Sequence, residues 1–398
     1  MIPSSGQRPG KPTSARWGNE GLACVKKLGL IVNPIAGMGG RCGLKGTDGA
    51  EILERARSLG GVPEAPDRAA TALRQLAHLR SDIEVVTVSG DMGETEAIAG
   101  GFEPVVLLST NSSTTTSLDT RRAAKEMTAA GVDLLLFVGG DGTARDVYAS
   151  VNDDQICLGV PAGCKIHSGV YGVNPRNAGE LAALFLSGKV GRTKTAEVMD
   201  IDEEAFRQGR VSAELYGYLR VPEDEARVQG GKAGRVQSDE SALDAIAYSL
   251  GDRMEPNTLY VLGTGSTLLG IEQRLGIEGT LLGVDVTRGR QVIATDVNER
   301  QILELLKSDS TVQAKIVVTV IGGQGYVFGR GNQQISPEVI QRVGRENVMV
   351  VATKSKIAGL GGRPLLVDTG SEETNALLSG YMRVTVGYDE QIVIRVAS

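Results

Sequence analysis

The sequence predicts an α/β protein in two parts, a parallel sheet wrapped by helices and then a domain dominated by strands. Three observations carry this. Through the first half, short continuous apolar runs alternate with amphipathic stretches, the pattern of strands buried on both faces and joined by helices. After about Gly191, strand-like runs follow one another with fewer helical stretches between them. Glycine accounts for 53 of 398 residues, close to twice the usual share of about 7%. It gathers where apolar runs end, which is where an α/β protein brings backbone close to a ligand.

Residues 1–23 are polar, rich in Pro, Gly and Ser, and lack the apolar stretch of a secretory signal; they read as a flexible tail. The first domain is expected over 24–192. Its strands are read at Leu28–Val32, Ile83–Ser89, Pro104–Ser109, Asp133–Val138 and Ile156–Pro161. Between them GAEILERARSLG, DRAATALRQLAHLRS, SLDTRRAAKEMTAAG and ARDVYASVN have helical character, with Asp48 and Glu51 at capping-box spacing before the first. The β-rich second domain is expected over 193–398. VSAELYGYLRV, NTLYVLG, LLGVDVT, RQVIAT, AKIVVTVIGG, GYVFG, NVMVVAT, RPLLVDT, YMRVTVGYD and QIVIRVA read as strands. ESALDAIAYSL, NERQILELLKS, SPEVIQRVG and EETNALLSG read as helices.

Composition narrows the function. Net charge is −6 and aromatics are 4%, so neither the basic face of a nucleic-acid binder nor a base-stacking platform is expected. No apolar run reaches the length of a membrane span, and no membrane partner is expected. The cysteines Cys24, Cys42, Cys157 and Cys164 form no C-x-x-C pair, and the only histidines are His78 and His167, so no zinc site is expected. Scattered thiols without a secretory signal fit a reducing cytoplasm.

Four loops carry candidate chemistry. FVGGDGT follows the apolar run Val132–Val138. Gly139, Gly140 and Gly142 bring N–H groups toward an anion, and Thr143 is read as the cap of the helix that follows. Asp141 would repel a phosphate, so it must face a hydroxyl or a Mg²⁺ beside one, which suits phosphoryl transfer. The alternative is a tight turn in which Asp141 is satisfied by nearby N–H groups. NPIAGMGGR follows the first strand and adds Asn33, Pro34, Gly37, Gly39, Gly40 and Arg41 as the other half of a phosphate cleft; it matches neither a Walker A loop nor G-x-G-x-x-G. PAGCKIHSGV offers Lys165, His167 and Ser168 just past a strand end, either structural or substrate-facing. LGTGST offers Gly263, Thr264, Gly265, Ser266 and Thr267 at a strand-to-helix turn, with Ser266 or Thr267 as N-cap or as an anion or ribose contact. Arg145, Asp146 and Asp285 complete the candidate substrate contacts. The glycine-dense stretch IGGQGYVFGRGNQQIS reads as a mobile or interdomain loop.

The motifs GLIVNPIAGMGGRCGLKGTDG, VGGDGTARDV, GVPAGCKIHSGVYGVNPRNAGEL, LGTGSTLLGIEQRLGIEGTLLGVDV, GGQGYVFGRGNQQISPEVI and LLVDTG together resemble the ATP-NAD kinase-like family. That family lies within the NAD kinase and diacylglycerol kinase superfamily and includes acetoin-catabolism accessory proteins. The resemblance implies a Rossmann-like first domain, a β-rich second domain that supports homo-oligomerisation, and phosphorylation of the 2′-hydroxyl of NAD by ATP, with Mg²⁺, or by polyphosphate. It also implies Asp141 at the acceptor hydroxyl and Gly139, Gly140, Gly142 and Thr143 at nucleotide phosphates. One departure stands out. The family's second motif, Asn followed by Glu or Asp, has no good match, since VND (Val151–Asp153) comes too soon and DVNER (Asp296–Arg300) lies far into the second domain. The acceptor therefore rests on analogy, and a kinase for another hydroxyl metabolite or lipid, or a non-catalytic nucleotide-binding regulator, stays open.

Overall fold

A computed structural model describes residues 25–44, 50–110, 115–163, 166–201, 213–224, 227–228, 240–308 and 313–398. The expected tail, the Asp48 cap and Lys165 lie outside them.

The first unit is built on β1 (Lys26–Val32), β2 (Ile83–Val88), β3 (Val105–Leu108), β4 (Leu134–Gly139) and β5 (Cys157–Pro161), all parallel, in the order β3-β2-β1-β4-β5. Alternate residues of the central strands enter different cores. Leu28, Leu30 and Val32 of β1 and Leu134, Leu136 and Val138 of β4 share one face, while Leu135 and Phe137 share the other. Both faces are covered, which is why these strands read as unbroken apolar runs.

The helices of this unit are α1 (Ala50–Ser58), α2 (Ala65–Gln75), α3 (Glu94–Ala99), α4 (Ser117–Ala129), α5 (Asp141–Tyr148) and α6 (Pro175–Leu186). On one face Ala69, Ala72 and Leu73 of α2 pack beside Ala178, Leu181 and Ala182 of α6. On the other face lie Ala123, Ala124 and Met127 of α4 with Ala144 and Val147 of α5. The antiparallel hairpin β6 (Thr193–Ile201) and β7 (Ala213–Pro222) follows the boundary expected at 192, and its Ala196, Val198, Leu219 and Val221 pack in this same core.

The second unit is strand-rich, a mixed sheet of nine strands. They are β8 (Leu259–Leu262), β9 (Asp285–Arg288), β10 (Gln291–Ala294), β11 (Ala314–Thr319), β12 (Tyr326–Phe328), β13 (Val348–Val351), β14 (Leu365–Val367), β15 (Gly380–Gly387) and β16 (Glu390–Ala397). Their order is β10-β9-β8-β11-β13-β15-β16-β14-β12. Its central strands β8, β11, β13 and β15 pair in parallel, so crossover helices are required.

The helices of this unit are α7 (Glu240–Arg253), which precedes β8, and α8 (Ser266–Arg274), α9 (Glu299–Ser308), α10 (Pro337–Val343), α11 (Lys354–Ala358) and α12 (Glu372–Leu378), which lie between its strands. Ile302 and Leu306 of α9 with Val339 and Ile340 of α10 cover one face; Ile246 and Leu250 of α7 with Leu268 and Ile271 of α8 cover the other. No helix among the described residues is long and apolar enough to cross a membrane.

Candidate active site

Strand order decides where the first two glycine loops meet. From β1 the chain moves outward to β2 and β3, then returns to lay β4 on the other side of β1. The loops leaving the carboxyl ends of β1 and β4 therefore diverge from a switch point, the crevice where open α/β sheets bind ligands. Asn33 closes the base of that crevice. Its N–H donates to the Val138 carbonyl at 3.0 Å, and its Nδ2 donates to Thr143 Oγ1 at 3.1 Å.

The helix after β4 starts three residues earlier than the Thr143 cap predicted. Asp141 opens α5, Gly140 is its N-cap, and no side chain caps it. Thr143 lies in the first turn, where its hydroxyl receives Asn33 instead of the helix's own N–H groups. Asp141 is 5% exposed. Its Oδ2 accepts the His167 N–H at 2.7 Å and faces His167 Nδ1 at 3.3 Å. Its Oδ1 accepts the Ser168 N–H at 3.1 Å and the Ser168 hydroxyl at 2.6 Å. The carboxylate is thus satisfied by nearby N–H groups, though those of another loop, not its own turn. Each oxygen already has two neighbours, close to its capacity.

The loop after β5 wraps this carboxylate. The Ala162 and Gly163 N–H groups donate to the Gly139 carbonyl at 2.9 and 3.2 Å. Tyr171 donates to the Gly140 carbonyl at 2.5 Å, and its ring packs edge-on against Phe137. The NPIAGMGGR loop touches the same place from the other side, since a Cβ on Gly37 (φ 86°) would stand 2.6 Å from the Ala162 carbonyl oxygen. This loop is less open than its glycines suggest. Gly37, Gly39 and Gly40 are buried, and the Gly40 N–H turns back onto the Gly37 carbonyl. Pro34 is half-buried beside them, and Arg41 is exposed.

Other expected contacts lie elsewhere. Arg145 pairs with Asp200 at 2.8 Å and stacks on Tyr216, and Asp146 pairs with Arg121 at 2.8 Å. Asp285 is fully buried at the start of β9 within the second unit, accepting from Thr280 and from the Asp296 N–H at 2.8 Å. Next to it Glu272, 1% exposed, has no partner for either oxygen among the described residues. Burial, then the charge of Asp285, pushes its carboxyl up to about 8. In the LGTGST loop, Gly265 (φ 117°) is the N-cap of α8, not Ser266 or Thr267, and no side chain caps the helix. Gly263 donates to the Val317 carbonyl, and Thr264 donates to the Gly331 carbonyl at 3.2 Å.

The second unit closes over the loops of the first through residues that the motif reading did not single out. Gln324 Nε2 donates to the Ile166 carbonyl at 3.0 Å, next to His167. Asp368 Oδ2 joins Arg68 Nη1 of α2 at 2.7 Å to Arg330 Nη1 at 2.9 Å, all three buried. Arg68 also donates to the Pro161 carbonyl at 3.1 Å and pairs with Glu64 at 2.8 Å. Burial alone would raise the Asp368 carboxyl, but the two guanidinium groups hold it below its ordinary value. The glycine-dense stretch 321–336 is therefore an interdomain element. Its signal in the sequence was Arg330 between two glycines, a lone charge in an otherwise neutral loop.

The fold and this seam define a two-unit α/β protein whose carboxyl-end loops meet over one buried aspartate. Residues 28–190 match the ATP-NAD kinase N-terminal domain and residues 255–396 match the ATP-NAD kinase C-terminal domain. The chain belongs to the ATP-NAD kinase family. No curated protein matches its sequence. Among solved structures it is similar to a diacylglycerol kinase from Bacillus anthracis str. Sterne, at 19% identity over 45% of this chain and 48% of that one, with a TM-score of 0.21. It is also similar to a provisionally assigned UDP-N-acetylglucosamine 2-epimerase from Listeria monocytogenes, at 12% identity over 88% and 82% of the two chains, with a TM-score of 0.25. The chain spans less than half the length of the diacylglycerol kinases it matches.

Proposed function

We propose that this protein is an ATP-dependent kinase that phosphorylates the 2′-hydroxyl of NAD. The observation that carries the reading is Asp141, a buried carboxylate on the first turn of α5, at the switch point of a parallel sheet and flanked by Gly139, Gly140 and Gly142. Membership of the ATP-NAD kinase family supports it. In this reading the N–H groups of the glycine loops take phosphate oxygens, and the carboxylate takes up the acceptor's proton. Because both Asp141 oxygens are engaged by His167 and Ser168, the acceptor reaches Asp141 by displacing that loop or by using the His167 ring as a relay.

Among the described residues no group of three or more His, Cys, Asp or Glu side chains is placed to hold a metal ion. The proposal has Mg²⁺ arrive on ATP. It also includes self-association of the chain; a single-chain species in sedimentation would count against that part.

The test is a coupled assay for NADP⁺ formation from NAD⁺, ATP and Mg²⁺, with Asp141→Asn as control. Turnover that falls by about 100-fold or more in the variant, with ATP binding kept, supports the reading. The saturated carboxylate favours one second reading, a nucleotide-binding regulator without catalysis. In that case the wild type binds ATP and forms no NADP⁺.

A further inference from the structure

Arg330, just past β12 at the seam of the two units, is 4% exposed. Its Nη1 is committed, donating to Asp368 and to the Gly329 carbonyl at 3.1 Å. Its Nε and Nη2 are fully buried and have no acceptor among the described residues. Tyr326 of β12 repeats the anomaly at the same spot. Its ring lies 4.7 Å from the Arg330 guanidinium carbon, and its buried hydroxyl feels that guanidinium without making a well-formed hydrogen bond. A buried charged donor without an acceptor forfeits its hydration for nothing. Glu64 and Asp368 are both spent on Arg68, and Asp368 reaches only the Nη1 end of Arg330.

The idle edge has a particular shape. Nε–H and Nη2–H point the same way from the planar guanidinium, which is the fork that grips two oxygens of a phosphate or carboxylate. Its position connects it to the cleft. Arg68, on the other side of Asp368, donates to the carbonyl of Pro161, which pairs with Gly139 across β4 and β5. Thr264 binds the carbonyl of Gly331, the next residue along. Tyr171, bonded to Gly140, is driven well above its ordinary value by burial and then by Asp141 and Asp200, and is opposed by Arg330.

We propose that Arg330 and Tyr326 form an oxyanion subsite on the second unit's side of the cleft, taking phosphoryl oxygens of a nucleotide opposite the Gly139–Thr143 loop. The choice of a phosphoryl ligand rests on the kinase reading; the need for an acceptor does not. ATP and NAD both carry this chemistry, and the experiment separates them.

Binding of inorganic pyrophosphate, ATP and NAD is measured by calorimetry on the full chain, as wild type, Arg330→Lys, Arg330→Gln and Tyr326→Phe, with unliganded melting temperatures alongside. The wild type should bind pyrophosphate. Both Arg330 variants should weaken it by about tenfold or more, and Tyr326→Phe by about threefold, since charged donors contribute more than neutral ones. Tyr326→Phe should be about as stable as the wild type, because it removes a buried hydroxyl that makes no well-formed hydrogen bond. A matching loss for ATP alone assigns the subsite to the donor, and for NAD alone to the acceptor. Wild type that binds none of the three, or Arg330 variants that bind like wild type, would overturn the proposal. Should both Arg330 variants fail to fold, Tyr326→Phe and the Arg330 Nε–H resonance of the wild type decide; a resonance unmoved by saturating pyrophosphate sinks it. Arg330-dependent pyrophosphate binding without any NADP⁺ formation would overturn the kinase reading and leave the subsite standing. NADP⁺ formation with normal binding by the Arg330 variants would do the reverse.

Discussion

The backbone of Gly163 lies directly on that of Gly140, so close that a Cβ on Gly163 would stand 2.6 Å from the Gly140 Cα. Neither partner is the end of a flexible side chain, so one loop must move. Gly163→Ala should cost about 1–3 kcal/mol of stability as an overpacked contact and should displace the loop that carries Asp141. Thermal melts and the NADP⁺ assay on the same preparation check this. A variant with unchanged melting and unchanged turnover would mean the two loops can part without consequence.

Asp368 is the pivot of the seam, its carboxylate shared by Arg68 and Arg330. Asp368→Ala leaves two buried guanidinium groups without it and should destabilise the protein by about 3–5 kcal/mol. The carboxyl is held below its ordinary value in the folded protein. Its contribution is therefore present above its ordinary range and is lost as pH falls through the folded value. Denaturant titrations of wild type and variant between neutral and acid pH should converge toward the acid end.

Glu272 has the opposite sign. Its carboxyl rises from 4.5 in the unfolded chain to about 8 in the folded one, so the folded state holds a proton that the unfolded state releases. Stability from this group is full below about 4.5, declines as pH rises, and is gone above about 8. Glu272→Gln keeps the shape and removes the titration. Its stability should exceed wild type at pH 9 and approach it in acid. Parallel wild-type and variant curves over that range would exclude Glu272 as the source.

His167→Gln separates the two routes to Asp141. The main-chain N–H that binds Oδ2 remains, and only the ring nitrogen at 3.3 Å is lost. If the ring relays the proton, turnover should fall by about 100-fold with little change in KM for NAD. Turnover within a few-fold of wild type would leave the carboxylate as the direct base.

The strands of the first sheet were legible to within about two residues because each is an unbroken apolar run, largely buried in β1, β2, β4 and β5 and exposed at the sheet edge in β3. The Val132–Val138 run and β4 at Leu134–Gly139 are one example. β6 was not read. Its sequence TKTAEVMDI has only Ala196 and Val198 in the core, too weak an alternation to stand out beside charged neighbours. Helix α8 opens on SerThr, and composition pointed to a hydroxyl cap; the backbone at Gly265, with φ 117°, does that work instead. Of the candidate site, Asn33 to Arg41 leave the end of β1 and His167 and Ser168 follow β5, while Asp141 and Thr143 lie in the first turn of α5. Arg145 and Asp146 sit past the first residues of α5, where helical rotation turns them to Asp200 and Arg121.

By itself the sequence determined which segments other than β6 are strands, which loops are glycine-rich, and that a carboxylate stands among the glycines at a strand's end. These follow from local periodicity and from residue types with few backbone choices. Only the tertiary structure decided that the β1 and β4 loops share one crevice, that His167 and Ser168 surround Asp141, and that Arg68 meets Asp368 across 300 residues of chain. The reason is physical. Strand order and the closure of the second unit over the first are settled by burial summed over whole faces, and no short stretch of sequence carries that sum.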